Sequence, residues 1–500
     1  MMDNSGRQQR GGMPHVVCMP YPAQGHVAPM LNLAKLLHHK GFYITFVHTH
    51  FNYNRLLRSG ALNSQFSSHS PTFRFETIPD GLPPPDNPDA TQNIIELCVS
   101  TSIHCLAPFR DVVAKLNKLP DVPPVSCIIS DAIMAFTLEV SQELRIPNVF
   151  FWTVNAFTLV CYLHYSAIRN LALQQHAASI NSKNDYLDYM IDWLPGIGNV
   201  RLRDTPSMIW DPALPDYFVE FCIREISRTR KASAVILNTF DALESDIIYQ
   251  ISNMIDLHVY PIGPVHSLYK SVIPDDVETG SIQSNLWKED STCIEWLDSK
   301  QVGSVIYVNF GSITVMSPQH LEEFAWGLAN SMHNFLWIIR PDLVMGDSPL
   351  LPPDFITQTK GRGLLASWCD QQQVLTHLSI GGFLTHCGWN STLESLSAGV
   401  PMICWPFFAD QLCVRHCVCR MWEVGVEVEE DVKRLGVEKL VRELMEGNGG
   451  KEMKKRALEW KNKCQRAIAG KCNGSSCLNL DRMVNEVILS QIDREKGSSR

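Results

Sequence analysis

The strongest constraint on the fold is an alternation of short apolar runs with helical stretches that stops once and then starts again. Residues 15–19 read as a strand. Residues 27–39 carry Met30, Leu31, Leu33, Ala34 and Leu37 at helical spacing, stop at Gly41, and give way to a second strand at 43–47. Strand, helix, strand in that order implies a parallel pair, because parallel neighbours need a crossover between them. Strands at 125–129 and 149–152 and a helix over about 134–144 continue the pattern, separated by proline-rich loops at 79–88 and 120–124. Residues 266–289 break it with a polar, acidic run containing Pro274, Asp275, Asp276, Glu278 and Gly280, the composition of a linker. Alternation resumes with a strand at 304–310, a helix at 318–330 and strands near 335–339, 364–366, 382–384 and 402–405. The expected fold is α/β: one sheet domain at 14–265, a second at 290–472, and a C-terminal helix over 473–492 that can return to the first domain.

A chain of 500 residues that is 45% hydrophobic and 19% charged can bury such cores. Its net charge of −9, without a basic block, argues against nucleic acid or an anionic membrane as partner. An anionic ligand must then be held by local donors. The sixteen cysteines form no C-x-x-C pair, the usage of buried thiols in a reducing compartment. Cys413, Cys417 and Cys419 lack the partners that would complete a zinc site, and His48 with His50 lacks a third ligand, so packing is the better account of both groups. Residues 1–13 hold no apolar signal core, and the apolar stretch 146–168 is interrupted by Pro147, Asn148, Asn155 and His164. A cytoplasmic monomer without membrane insertion is expected. The nucleotide fingerprints G-x-G-x-x-G and G-x-x-x-x-G-K-[ST], the G-x-S-x-G elbow and an Asp-x-Asp pair are all absent, which disfavours NAD chemistry and serine hydrolysis and favours a site without metal or other cofactor.

The densest chemistry lies between Trp368 and Gln411. It holds Trp368-Cys369-Asp370-Gln371, His386-Cys387-Gly388-Trp389-Asn390-Ser391, Glu394, Gly399, Pro401 and Asp410-Gln411. Gly388-Trp389-Asn390-Ser391 follows a strand and opens a helix, whose free N–H groups and positive dipole end suit a diphosphate. Gly388 allows close approach, Asn390, Ser391 and His386 add donors, Trp368 offers a face for a base, Gln371 can pair with its edge, and Glu394 can accept from two ribose hydroxyls. Taken singly, Ser391-x-x-Glu394 is also a plain capping box and each tryptophan could be core; jointly, the spacing favours a ligand.

This box closely resembles the carboxy-terminal signature of plant family-1 UDP-dependent glycosyltransferases. The resemblance extends to Pro22-Ala23-Gln24-Gly25-His26 and Val308-Asn309-Phe310-Gly311-Ser312, and is nearest to the steviol, iridoid and cyanohydrin glucosyltransferase branch. It implies two Rossmann-like domains facing across a cleft (GT-B type), with Ser312, Trp368, Cys369, Gln371, His386, Gly388, Trp389, Asn390, Ser391, Glu394, Asp410 and Gln411 on the UDP-sugar. Asp410 and Gln411 would meet the sugar, the glutamine accompanying glucose. It also implies a His26–Asp131 pair that deprotonates the acceptor; both residues fall at the carboxyl end of the first sheet, where open α/β folds bind ligands. The transfer would invert the anomeric centre and give a β-glycoside.

Two departures from the family stand out: Asp370 replaces a proline, which is expected to loosen the loop carrying Trp368, and Leu412-Cys413-Val414-Arg415 replaces a polar run. The acceptor wall is expected from Tyr21, Trp152 and Asn155 and their neighbours, largely apolar and suited to a lipophilic hydroxyl- or carboxyl-bearing molecule such as a terpenoid. The competing readings are a catalytically weak UDP-sugar or small-molecule binding protein on the same fold, and a hydrolase or phosphorylase, for which no carboxylate pair or cofactor lysine is in view.

Overall fold

The computed structural model describes residues 12–62, 71–85, 91–179, 185–273, 282–340, 343–344, 351–470 and 473–490. The front lobe is built on seven strands: β1 (His15–Met19), β2 (Tyr43–Thr49), β3 (Phe73–Ile78), β4 (Val125–Asp131), β5 (Asn148–Trp152), then β8 (Ala234–Leu237) and β9 (Val259–Pro261) after a small antiparallel pair, β6 (Met190–Ile191) and β7 (Val200–Arg201). Their order is β3-β2-β1-β4-β5-β8-β9, every pairing parallel. The rear lobe carries β10 (Val305–Asn309), β11 (Asn334–Ile338), β12 (Gly363–Ala366), β13 (Ile380–Thr385), β14 (Met402–Cys404) and β15 (Gly425–Glu427), in the order β12-β11-β10-β13-β14-β15, again all parallel.

The order matters more than the count. In each sheet the winding reverses between the first strand and the one beside it: β1 next to β4 in front, β10 next to β13 behind. Loops leaving the carboxyl ends of such a pair splay apart and leave a crevice. His26 follows β1, Asp131 ends β4, Ser312 follows β10 and the His386–Glu394 run follows β13, while Trp368–Gln371 follow β12 and Asp410–Gln411 follow β14.

The central strands β1, β2, β4 and β5 are buried along nearly their whole length, with apolar residues on both faces and little alternation. One apolar cluster packs the front sheet against the helix Gln24–His39 and takes in Leu480, Met483 and Ile488 of the C-terminal helix. That helix (Ser475–Met483, continuing as a π-helical turn over Val484–Leu489) is further tied to the front lobe by Asn479 Nδ2 to the Pro261 carbonyl at 3.0 Å, Tyr260 Oη to Glu486 at 2.8 Å, and a Lys40–Asp481 ion pair.

The segment read as a linker begins differently. Its first residues form the helix Val265–Val272, whose Val265 and Leu268 are buried in the front-lobe core. Its polar stretch at 274–281 lies outside the described residues. Residues 282–290 then cross from the front lobe to the rear one, as described below. Every described cysteine is a free thiol, and all but Cys419 are buried.

Candidate active site

His26 sits in the first turn of Gln24–His39, immediately after the loop from β1. That loop is pinned by Asn52 Nδ2 donating to the Pro22 carbonyl at 2.8 Å. Asp131 is the last residue of β4, so the switch point brings the two together: His26 Nδ1 lies 2.6 Å from Asp131 Oδ2. The other carboxylate oxygen accepts the Ile133 N–H at 3.0 Å, which fixes the acid. A carboxylate can only accept, so Nδ1 carries the hydrogen and Nε2 keeps its lone pair. The imidazole is 23% exposed and the carboxylate 2%, so the pair offers one open face, that of the ring. Burial by itself lowers the His26 pKa, but the charge and hydrogen bond of Asp131, followed by the charge of Asp410, raise it overall.

Asp410 reaches this place from the rear lobe. Burial lifts its carboxyl to about 6, against the opposing pull of His26. Front base and rear acid therefore feel each other across the cleft. Tyr21 packs edge-on to His26 with ring centroids 5.1 Å apart, and Trp152 leans on Tyr162 at 5.8 Å. Asn155 does not join this wall. It is fully buried, its Oδ1 caps the helix Ala156–Leu163 by accepting from Thr158 N at 3.1 Å, and its Nδ2 meets Cys417 Sγ.

In the rear lobe, Gly388 is the N-cap of the helix Trp389–Ala398 and Gly311 follows β10 with φ +79°. The His386 ring is wedged between them: a Cβ on Gly311 or Gly388 would fall 2.3 or 2.4 Å from its Nε2. Burial, helped by the Arg340 charge, holds His386 down at about 4, so it is a neutral imidazole. Arg340, 1% exposed, donates to the Thr314 carbonyl at 2.7 Å and to the Gly311 carbonyl. A fixed positive charge thus lies behind the loop that carries Ser312.

Gln371 and Glu394 form the other end of the cradle. Gln371 Nε2 donates to Ser391 Oγ at 2.9 Å and to Glu394 Oε2 at 2.6 Å, while its Oε1 accepts from Asn309 Nδ2 at 2.8 Å and Tyr307 Oη at 3.2 Å. Burial pushes Glu394 up to about 7, opposed by hydrogen bonds from Gln371 and Gln372. Trp368 is 9% exposed and faces Trp287. Cys369 turns inward, its Sγ 3.4 Å from Tyr307 Oη, which leaves only its backbone for a ligand.

The side chains of three expected donor ligands have other tasks. Trp389 Nε1 donates to the Asn238 carbonyl of the front lobe at 2.8 Å, its ring packed on Trp422. Asn390 Nδ2 donates to the Gly25 carbonyl at 2.7 Å and its Oδ1 accepts from Asn238 at 3.3 Å. These bonds hold the lobes together, so in this arrangement the contribution of both residues to an anion is their backbone at the helix start. Gln411 Oε1 accepts from Phe407 N and Phe408 N, bracing the loop before its own helix.

Asp370 also differs from expectation. It is the N-cap of Gln371–Thr376, its Oδ1 accepting from Gln373 N at 3.0 Å, so the residue in place of proline ties the loop down. Sequence reasoning missed Thr153, whose Oγ1 is 2.9 Å from His26 Nδ1, and the buried Arg340. Thr153 directly follows β5, the neighbour of β4, but that adjacency needs the strand order. Arg340 carried no motif.

The chain matches the UDP-glucoronosyl and UDP-glucosyl transferase family over residues 55–459. It is 53% identical to a 7-deoxyloganetin glucosyltransferase of Catharanthus roseus, with 94% of this chain and 96% of that one covered. It is 54% identical to a 7-deoxyloganetin glucosyltransferase of Gardenia jasminoides, covering 95% and 98%. Among solved structures it is similar to a UDP-glucose: anthocyanidin 3-O-glucosyltransferase in complex with UDP, with TM-score 0.79, 30% identity and 96% of this chain and 100% of that one covered. The two parallel-sheet lobes agree with the fold match, and the family model together with relatives above 50% identity over nearly the whole chain places it: the chain belongs to the UDP-glucoronosyl and UDP-glucosyl transferase family.

Proposed function

We propose that this enzyme moves glucose from UDP-glucose to a hydroxyl of a lipophilic small molecule, a terpenoid of the iridoid kind, and inverts the anomeric centre. The observation that carries the reading is the His26 Nδ1–Asp131 Oδ2 contact of 2.6 Å at the front switch point, with the charge of rear-lobe Asp410 felt at the same imidazole.

His26 Nε2 takes the acceptor proton while Asp131 holds the ring and balances the imidazolium. The freed oxygen attacks the anomeric carbon from the side away from UDP. Charge developing on the diphosphate meets the backbone N–H groups at Gly388 to Ser391, with Ser312 and the buried positive charge of Arg340 beside them. Trp368 carries the uracil, Glu394 the ribose, and Asp410 the sugar hydroxyls. Residues 14–265 are the acceptor lobe and 290–472 the donor lobe of a cytoplasmic monomer, with the described part of the 473–492 helix, 473–490, packed on the acceptor lobe. No three His, Cys, Asp or Glu side chains among the described residues group as metal ligands, and transfer is expected to survive a chelator.

The test incubates the protein with UDP-glucose and a panel of hydroxylated terpenoids and phenolics in chelator, with products read by mass spectrometry and the anomeric proton coupling. β-Glucosides from the wild type and none from His26→Ala support the reading. An α-product contradicts inversion, and UDP-glucose binding without any glycoside leaves a binding protein.

A further inference from the structure

Residues 282–290 form a strap that is bonded to both lobes. On the front side, Lys35 Nζ donates to the Ile282 carbonyl at 2.5 Å, Ser59 Oγ to the Asn285 carbonyl at 2.7 Å, and the Leu286 N–H to Gln24 Oε1 at 3.1 Å. On the rear side, the Asp290 N–H donates to the Trp368 carbonyl at 3.0 Å. Between these anchors stands Trp287. Its ring centroid lies 6.3 Å from that of Trp368 with the planes 31° apart, and the guanidinium of front-lobe Arg55 lies over the Trp287 ring at 4.9 Å. Cation, indole, indole: the sequence front lobe, strap, rear lobe is written in three side chains.

An indole ring on a loop turns freely unless something fixes its plane, and stacking on a base needs that plane set beforehand. Trp368 stands just before Asp370, which pins the following helix, but that cap fixes the backbone and not the ring. The aromatic ring that the strap sets against it is Trp287. We infer that Trp287 is a positioning residue for the donor nucleotide: it holds the Trp368 indole in the orientation that receives uracil, and through Arg55 it ties that orientation to the front lobe. The inference rests on the reading of Trp368 as the uracil platform. It adds a residue outside the Trp368–Gln411 box to donor recognition and gives the strap a task beyond joining two domains.

Two substitutions that both keep apolar bulk isolate the aromatic face. Trp287→Leu should raise the Kd for UDP and the KM for UDP-glucose about three- to tenfold, the worth of an aromatic pair, with kcat and the acceptor KM changed by less than about twofold. Trp287→Phe should recover most of that loss, with both variants keeping the wild-type thermal midpoint within a few degrees. Unchanged UDP affinity in Trp287→Leu, or equal losses in the leucine and phenylalanine variants, overturns the inference. Trp368→Leu run alongside separates the two levels: if it alone loses UDP, the platform reading stands and only the role of Trp287 falls; if neither loses UDP, both fall.

Discussion

At the scale of single residues the site is an arrangement of charges that set one another. Asp131 and Asp410 raise the His26 pKa against its burial, and the neutral imidazole is the form that accepts a proton. Activity should therefore fall as pH drops through a value above the ordinary imidazole pKa of about 6.5. Removing the anion destabilises the imidazolium, so Asp131→Asn should move this acidic limb of kcat/KM to lower pH while lowering the plateau. A limb that stays in place would show that some other group titrates. His26 and Asp131 were legible in the sequence because the Pro22–His26 run resembles the family's and both residues follow readable strands at the carboxyl end of the first sheet. Thr153, Asn155, Trp389 and Asn390 were not. What an amide, indole or hydroxyl bonds to depends on which strands and lobes are neighbours, and spacing along the chain does not carry that.

At the scale of elements, most strands and helices were readable from apolar periodicity, but their order in the sheets was not, and β3, whose polar Arg74, Glu76 and Thr77 are interspersed with its apolar residues, went unread together with the short strands β8, β9 and β15. The helix Val265–Val272 was hidden by polar residues around its two buried positions. Asp370 shows the local logic best: a carboxylate at an N-cap satisfies a helix N–H that a proline there would leave open. Asp370→Ala should cost about 1 kcal/mol, seen as a lower urea midpoint of the rear lobe, whereas Asp370→Asn should keep nearly all of it. Equal stability of the alanine variant would mean that the cap bond contributes nothing net.

At the scale of the whole molecule, the lobes meet through buried groups. Front-lobe Asp204 meets Arg415 at 2.5 Å, and Arg415 also bonds Glu427. Burial opposes the Asp204 charge, but hydrogen bonds from His416 and Arg201 and the Arg415 charge hold its carboxyl well below the usual range. The sequence shows Arg415 as an oddity; only the fold shows its partner. Acid should weaken the front lobe through histidines buried neutral. Burial lowers His15 to about 4 and His48 to about 3, and the His48 ring nitrogens have no hydrogen-bond partner among the described residues. Unfolding lets them take protons from about pH 6.5 downward, so the stability they contribute is complete above that pH and is lost as pH falls toward 4. His48→Phe, which suits the neighbouring Phe46, Tyr53 and Phe75 rings, should flatten the fall in denaturation midpoint between pH 7 and 4.5; an unchanged slope would assign the acid sensitivity elsewhere. The account as a whole depends on a front-lobe base acting on an acceptor beside a donor held by the rear lobe. The most direct measurement is single-turnover glucosyl transfer by His26→Ala, loaded with UDP-glucose at the concentration that saturates the wild type. A rate reduced by roughly 10²- to 10⁴-fold is the predicted result, and a rate within a few-fold of wild type would contradict it.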